Sequence, residues 1–117
     1  MTPGITVLAE TDGHGDAAVK GDTVEFESQA FLSRGDPAQE RLTMSTRLGK
    51  RQVIAGVEQA LLGMRAGGYR KVKIGPHLAY RDAGVPTRVP PNAVMIYELW
   101  MRRITKNSEP IAGSDGG

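Results

Sequence analysis

Cysteine is absent from this chain of 117 residues. Disulfides, thiolate nucleophiles and zinc–thiolate sites are therefore outside its chemistry. Histidine occurs only at His14 and His77. His14 sits between Asp12 and Asp16, a set that could hold a metal weakly. No further ligand cluster stands beside it, so the run reads as a solvated turn, and no metal or other cofactor is expected. Charge of one sign is also missing: 15 Lys and Arg stand against 13 Asp and Glu. That balance gives no reason to invoke nucleic acid or a membrane surface. Aromatics make up 5% of the chain, and none is interleaved with Arg70, Lys71 and Lys73. That basic stretch reads as a solvated strand edge rather than a nucleic-acid patch. No segment approaches the roughly 20 apolar residues of a membrane span. The first residues lack a basic region followed by an apolar run, so no secretory signal is read and a cytoplasmic location is expected. The glycines from Gly63 to Gly68 lack the lysine–serine or lysine–threonine of a phosphate loop.

What is present is short alternation. Ile5, Val7 and Ala9 alternate with Thr6, Leu8 and Glu10, a strand ended by a glycine-rich turn. Val24, Phe26 and Ser28 share one face of a second strand, with Glu25 and Glu27 on the other. A turn over residues 33–37 ends it. Leu42, Met44, Thr46 and Leu48 make a third strand. After Gly49 and Lys50 the spacing of Val53, Ile54, Val57, Leu61 and Met64 predicts a helix of about three turns, stopped by Gly63. Val72 and Ile74 mark a fourth strand. Residues 75–92 are rich in glycine and proline and read as a long functional loop. Met95, Tyr97, Leu99 and Met101 face the core in the last strand. Ile96 and Trp100 then point to the opposite face, beside Glu98 and Arg102. An exposed Ile–Trp pair implies a self-association or partner surface, or cover from the chain's own N-terminal segment or tail. The pattern is α+β: a mostly antiparallel sheet with one short α-helix over one face.

Three blocks in fixed order add to that pattern. Val53-Ile54-Ala55-Gly56 opens the helix, Pro76-His77-Leu78-Ala79-Tyr80 lies in the long loop, and Val89-Pro90-Pro91-Asn92-Ala93 precedes the last strand. Together they resemble the FKBP-type peptidyl-prolyl isomerases, the macrolide-binding immunophilins. The resemblance implies an FKBP-like domain over residues 1–104, its twisted sheet wrapped on the helix; the tail over 105–117 has almost nothing to bury and is expected to be disordered. It implies catalysis of cis–trans exchange at Xaa-Pro bonds in proline-containing peptides or proteins, with a macrolide as a further ligand.

That chemistry needs no charged catalyst. The amide barrier of ~18–20 kcal/mol comes from C–N double-bond character. Twisting the bond makes the amide less dipolar, so a dry pocket with one or two fixed donors favours the twisted state. The resemblance assigns the donors to the Ile54 N–H and the Tyr80 hydroxyl. It assigns the walls to Met44, Val53, Val89 and Tyr97. Val57 stands where most members carry an aromatic floor, commonly tryptophan. Ser28 replaces a usual tyrosine, and Arg81 a usual glycine. The segment between Gly35 and Leu48 lacks the usual phenylalanine–aspartate motif, with Asp36 only near its place. Reduced activity is expected. The alternatives are a non-catalytic FKBP-fold module that binds a peptide or protein, and a structural protein that dimerises through its sheet.

Overall fold

In the computed structural model, which describes residues 4–107, the alternating segments form one five-stranded sheet. In chain order the elements are β1 (Ile5–Thr11), β2 (Thr23–Leu32), β3 (Pro37–Arg47), α1 (Ala55–Leu61), β4 (Tyr69–Ile74) and β5 (Met95–Thr105). The strands lie in the order β1-β4-β5-β2-β3, and each adjacent pair is antiparallel. This is the α+β architecture implied by the alternation.

Two-residue periodicity sends Val24, Phe26, Ser28 and Ala30 of β2 to the same face as Met95, Tyr97, Leu99 and Met101 of β5. α1 covers that face and buries Gly56, Val57, Ala60 and Leu61 against it. Phe26, Leu61, Ile74, Met95 and Leu99 are essentially fully buried. Each such side chain stabilises the fold by ~1.5–3 kcal/mol relative to an exposed one.

The helix is shorter than its apolar spacing predicts. It begins only at Ala55. Gly49 and Arg51 lie in the left-handed region, at φ 94° and 56°, which an α-helix excludes. The Gln52 side chain holds that loop in place: its Oε1 accepts from the Thr46 hydroxyl at 3.0 Å and from the Arg47 N–H at 2.8 Å. Val53 and Ile54 consequently stay outside the helix. At the other end Gly63 is left-handed as expected, at φ 87°.

The basic stretch also sits differently. β4 is an inner strand, between β1 and β5, so it is no sheet edge. Arg70 pairs with core-facing Leu99 and turns its guanidinium onto the helix end. It donates to the carbonyls of Ala60 at 2.9 Å and Leu62 at 3.2 Å. A cation there complements the negative end of the helix dipole.

On the outer face Trp100 is half-buried. Its ring lies 5.5 Å from that of Tyr69, centroid to centroid, and the Arg41 guanidinium stands 3.7 Å above it. Among the described residues, Tyr69 on β4 and Arg41 on β3 supply this cover. Glu27 receives Arg41 and Arg102, and those hydrogen bonds hold its carboxyl below the usual range.

The last strand continues past the expected boundary at Ile104 through Thr105. Beyond it, Lys106 Nζ donates to Asp22 Oδ2 at 2.6 Å and the Asn107 N–H donates to Asp22 Oδ1 at 3.0 Å. Residues 105–107, expected in a disordered tail, are thus tied to the domain. The rest of that tail lies outside the described residues. Burial pushes the Asp22 carboxyl up, but hydrogen bonds from Lys106, Val19 and Asn107 outweigh it, and the net shift is down. A group depressed in the folded state contributes stability above its unfolded value and loses it on acidification. Wild type should therefore lose stability as pH falls below about 3.8. Asp22→Asn should cost about 1–3 kcal/mol at neutral pH and lose less on acidification. Urea titrations of both proteins at several pH values check this. Parallel acid limbs would mean that Asp22 has no such role.

Candidate functional site

A helix of seven residues is too short to cover the whole inner face of the sheet. Between its N-terminal end and the loop after β4 a cavity of about 400 Å³ remains. Val57 projects into it from α1 and Tyr97 from β5. Val53 and Ile54 line it from the extended segment before the helix. Ser28 and Met44 reach it from β2 and β3, and Tyr80 from the loop. These are the site residues named from the sequence, with one exception. Val89 lines an adjoining cavity of about 200 Å³ that shares Tyr80, Tyr97 and Gln39 with the first.

The cavity carries few hydrogen-bonding groups. Ile54 occupies the cap position of α1 with extended backbone, φ −59° and ψ 150°. Its carbonyl accepts from the N–H groups of Val57 at 3.0 Å and Glu58 at 3.1 Å. Its own N–H donates to no protein group among the described residues. The hydroxyls of Tyr80 and Tyr97 are 3.0 Å apart, and either can donate. When Tyr97 donates, the Tyr80 proton is free for an acceptor in the cavity. Burial pushes the Tyr97 hydroxyl far above its usual pKa, and the Tyr80 hydroxyl adds to the shift.

Sequence reasoning missed Gln39 and Gln52, which complete the lining. Gln39 Nε2 donates to the Ser28 hydroxyl at 2.9 Å and to the Ser28 carbonyl at 3.2 Å. It faces inward because of a bulge: β3 spends one extra residue between the Ser28–Leu42 and Ala30–Gln39 pairs. Simple alternation back from Met44 would place Glu40 there instead. Nothing in the local sequence marks that bulge. Asp36, near the place of the missing acidic residue, is exposed and paired with Arg34. Arg81 is left-handed at φ 53°, which explains on steric grounds why glycine suits that position. Elsewhere, the Asp12 carboxylate caps the Gly13 N–H at 2.9 Å and pairs with Arg65, so the turn around His14 has a structural use for it.

The sequence pattern of FKBP-type peptidyl-prolyl cis-trans isomerases matches residues 15–101. The chain belongs to that family. FK506-binding protein 1A of Neurospora crassa is 33% identical over 100 residues, covering 81% of this chain and 83% of that protein. Peptidyl-prolyl cis-trans isomerase FKBP15-2 of Arabidopsis thaliana is 34% identical over 110 residues, covering 86% of this chain and 63% of its own. FK506-binding protein 4 of Chaetomium thermophilum is 32% identical over 107 residues, 89% of this chain. The chain spans only 22% of the length of that longer relative.

For an FKBP the polar Ser28–Gln39 wall is the departure with the clearest geometry. There the Gln39 amide donates to both the hydroxyl and the carbonyl of Ser28. No carboxylate, imidazole or ammonium group lines the cavity, and the raised Tyr97 stays protonated through the neutral range. Ligand binding in the cavity should therefore be flat between about pH 6 and pH 8. Titration of a prolyl peptide at several pH values checks this. A tenfold change across that range would require an ionising group that the lining does not contain.

Proposed function

We propose that this chain is a peptidyl-prolyl cis-trans isomerase, with activity lowered by its pocket. One observation carries the reading. Ile54, whose backbone N–H is unpartnered among the described residues, and the hydroxyl-paired Tyr80 and Tyr97 line one mostly apolar cavity. A prolyl ring entering that cavity meets Val53, Val57, Met44 and Tyr97. The amide loses water, which favours the less dipolar twisted state. The Ile54 N–H and the Tyr80 hydroxyl hold the flanking carbonyls, and Tyr97 supports Tyr80 by donating to it. No carboxylate, imidazole or ammonium group lines the cavity, and rotation about the C–N bond needs no proton transfer.

The Val57 floor and the Ser28–Gln39 wall support a second reading, a non-catalytic module for a peptide or protein. Exchange spectroscopy on a short Xaa-Pro peptide separates the two. The isomerase reading expects faster exchange than the uncatalysed tens to hundreds of seconds. It also expects Tyr80→Phe to weaken turnover by about 0.5–1.5 kcal/mol while the fold persists. Binding without any acceleration would leave only the second reading.

The remaining proposals are finer. Relatives are named for binding FK506, and a macrolide is proposed as a ligand of this same cavity, testable by its displacement of a bound prolyl peptide. A cytoplasmic location and a part in protein folding belong to the same proposal; recovery of the chain in a membrane fraction would argue against that location. Among the described residues no helix is long and apolar enough to cross a membrane. Self-association through Ile96 and Trp100 is proposed as well. Ile96, Leu8 and Phe31 border an open depression of about 370 Å³ on the outer face. Sedimentation should give a heavier species for wild type than for Trp100→Lys, and identical monomers would remove the proposal.

A further inference from the structure

The cavity at the helix start has a neighbour: Gln39, Tyr80 and Tyr97 line both it and the 200 Å³ cavity. That cavity in turn shares Val85, Arg88 and Val89 with an outer cleft of about 390 Å³. A peptide with its proline in the first cavity has to lead its chain out, and the surface beyond Tyr80 offers these two neighbouring spaces to one of its flanks. No aspartate or glutamate lines any of the three spaces. Two arginines do. Arg34 is held by Asp36, which offsets its charge. Arg88 has no carboxylate partner among the described residues. Its Nη1 makes one long contact, 3.4 Å, to the carbonyl of Ala38 on the opposite wall.

The backbone that presents Arg88 is fixed. Val85 and Val89 exchange two hydrogen bonds of 2.8 Å, and the Arg88 N–H donates to the Val85 carbonyl at 3.0 Å. Thr87, next to it, is left-handed at φ 64°, a costly conformation for a β-branched residue. Gly84 packs so closely on the turn that a Cβ there would meet the Val89 carbonyl oxygen at 2.4 Å. Val89 is buried beneath, while Arg88 is exposed at the mouth. The fixed turn sets where the Arg88 side chain starts, and its planar guanidinium can bind a carboxylate through two parallel N–H donors.

We propose that Arg88 makes this chain select prolyl peptides with an acidic residue in the flank that leaves past Tyr80. The substrate frame rests on the isomerase reading; the charge preference does not depend on turnover. An exposed ion pair is modest in strength, so the preference is a bias among substrates, and salt weakens it.

The test uses the full chain and short prolyl peptides with Glu, Ala or Lys placed one or two residues before, or one or two residues after, the proline. Both exchange catalysis and binding are measured at low and high salt. For one flank, the Glu peptide should exceed the Lys peptide by about three- to tenfold at low salt, with the gap shrinking at high salt. Arg88→Gln should narrow the ratio and Arg88→Glu should invert it. Catalysis of the Ala peptides with no Glu–Lys difference at either flank would overturn the charge selection and keep the isomerase reading. Binding that prefers Glu without any catalysis would keep the selection and remove the isomerase reading. An unaltered Glu–Lys ratio in Arg88→Glu would reject Arg88 as its source. Absence of both binding and catalysis would overturn the two together. The salt dependence of wild type supplies the same decision should the variants fold poorly.

Discussion

The distance between α1 and β4 sets the site. At Gly56 the helix lies so close to the sheet that a Cβ would meet Ile74 Cγ2 at 2.4 Å. Only glycine permits that approach, and its cost in helix propensity, about 1 kcal/mol, is accepted at this position. The contact fixes the height of the helix start above the sheet. Val57 follows it directly and Ile54 lies two residues before it, so their depth in the cavity follows from it. Arg70 fastens the other helix end by its bonds to Ala60 and Leu62. A helix of two turns is unstable alone; here both of its ends are anchored to the sheet.

The two faces of that sheet use polar groups differently. On the outer face carboxylates are met by cations and neutral donors: Glu27 by Arg41 and Arg102, and Glu98 by Tyr69 and Gln29. In the cavity the polar groups are neutral and few. Tyr80 with Tyr97, and Ser28 with Gln39, satisfy each other. A neutral pair can be desolvated far more cheaply than a charged one. The cavity can therefore lose its water to a prolyl ring without stranding an ion.

Much of this was readable before any coordinates. Alternation identified the inward sides of β2 and β5, and the three blocks brought Ile54, Tyr80 and Val89 to one end of the molecule. What was not readable has physical causes. The start of α1 depends on the Gln52 side chain reaching back to Thr46 and on left-handed backbone at Arg51, a residue with no preference for it. Gln39 enters the pocket through a register slip in β3, and a slip of one residue exchanges faces without changing composition. Arg70 looked like a solvated cation because strand order, which makes β4 an inner strand, is a long-range property. The cover over Trp100 likewise comes from Arg41 and Tyr69, distant in sequence and adjacent only across the sheet.

The central claim is that the cavity at the helix start receives the prolyl ring, with the Ile54 N–H as a donor to it. Amide chemical shifts of the labelled chain, followed while a Xaa-Pro peptide is added, test that claim most directly. The account predicts that the Ile54 amide moves downfield as it gains an acceptor, together with shifts at Val57, Tyr80 and Tyr97. An unmoved Ile54 amide, with the changes gathered on the outer face around Phe31 and Ile96, would contradict it.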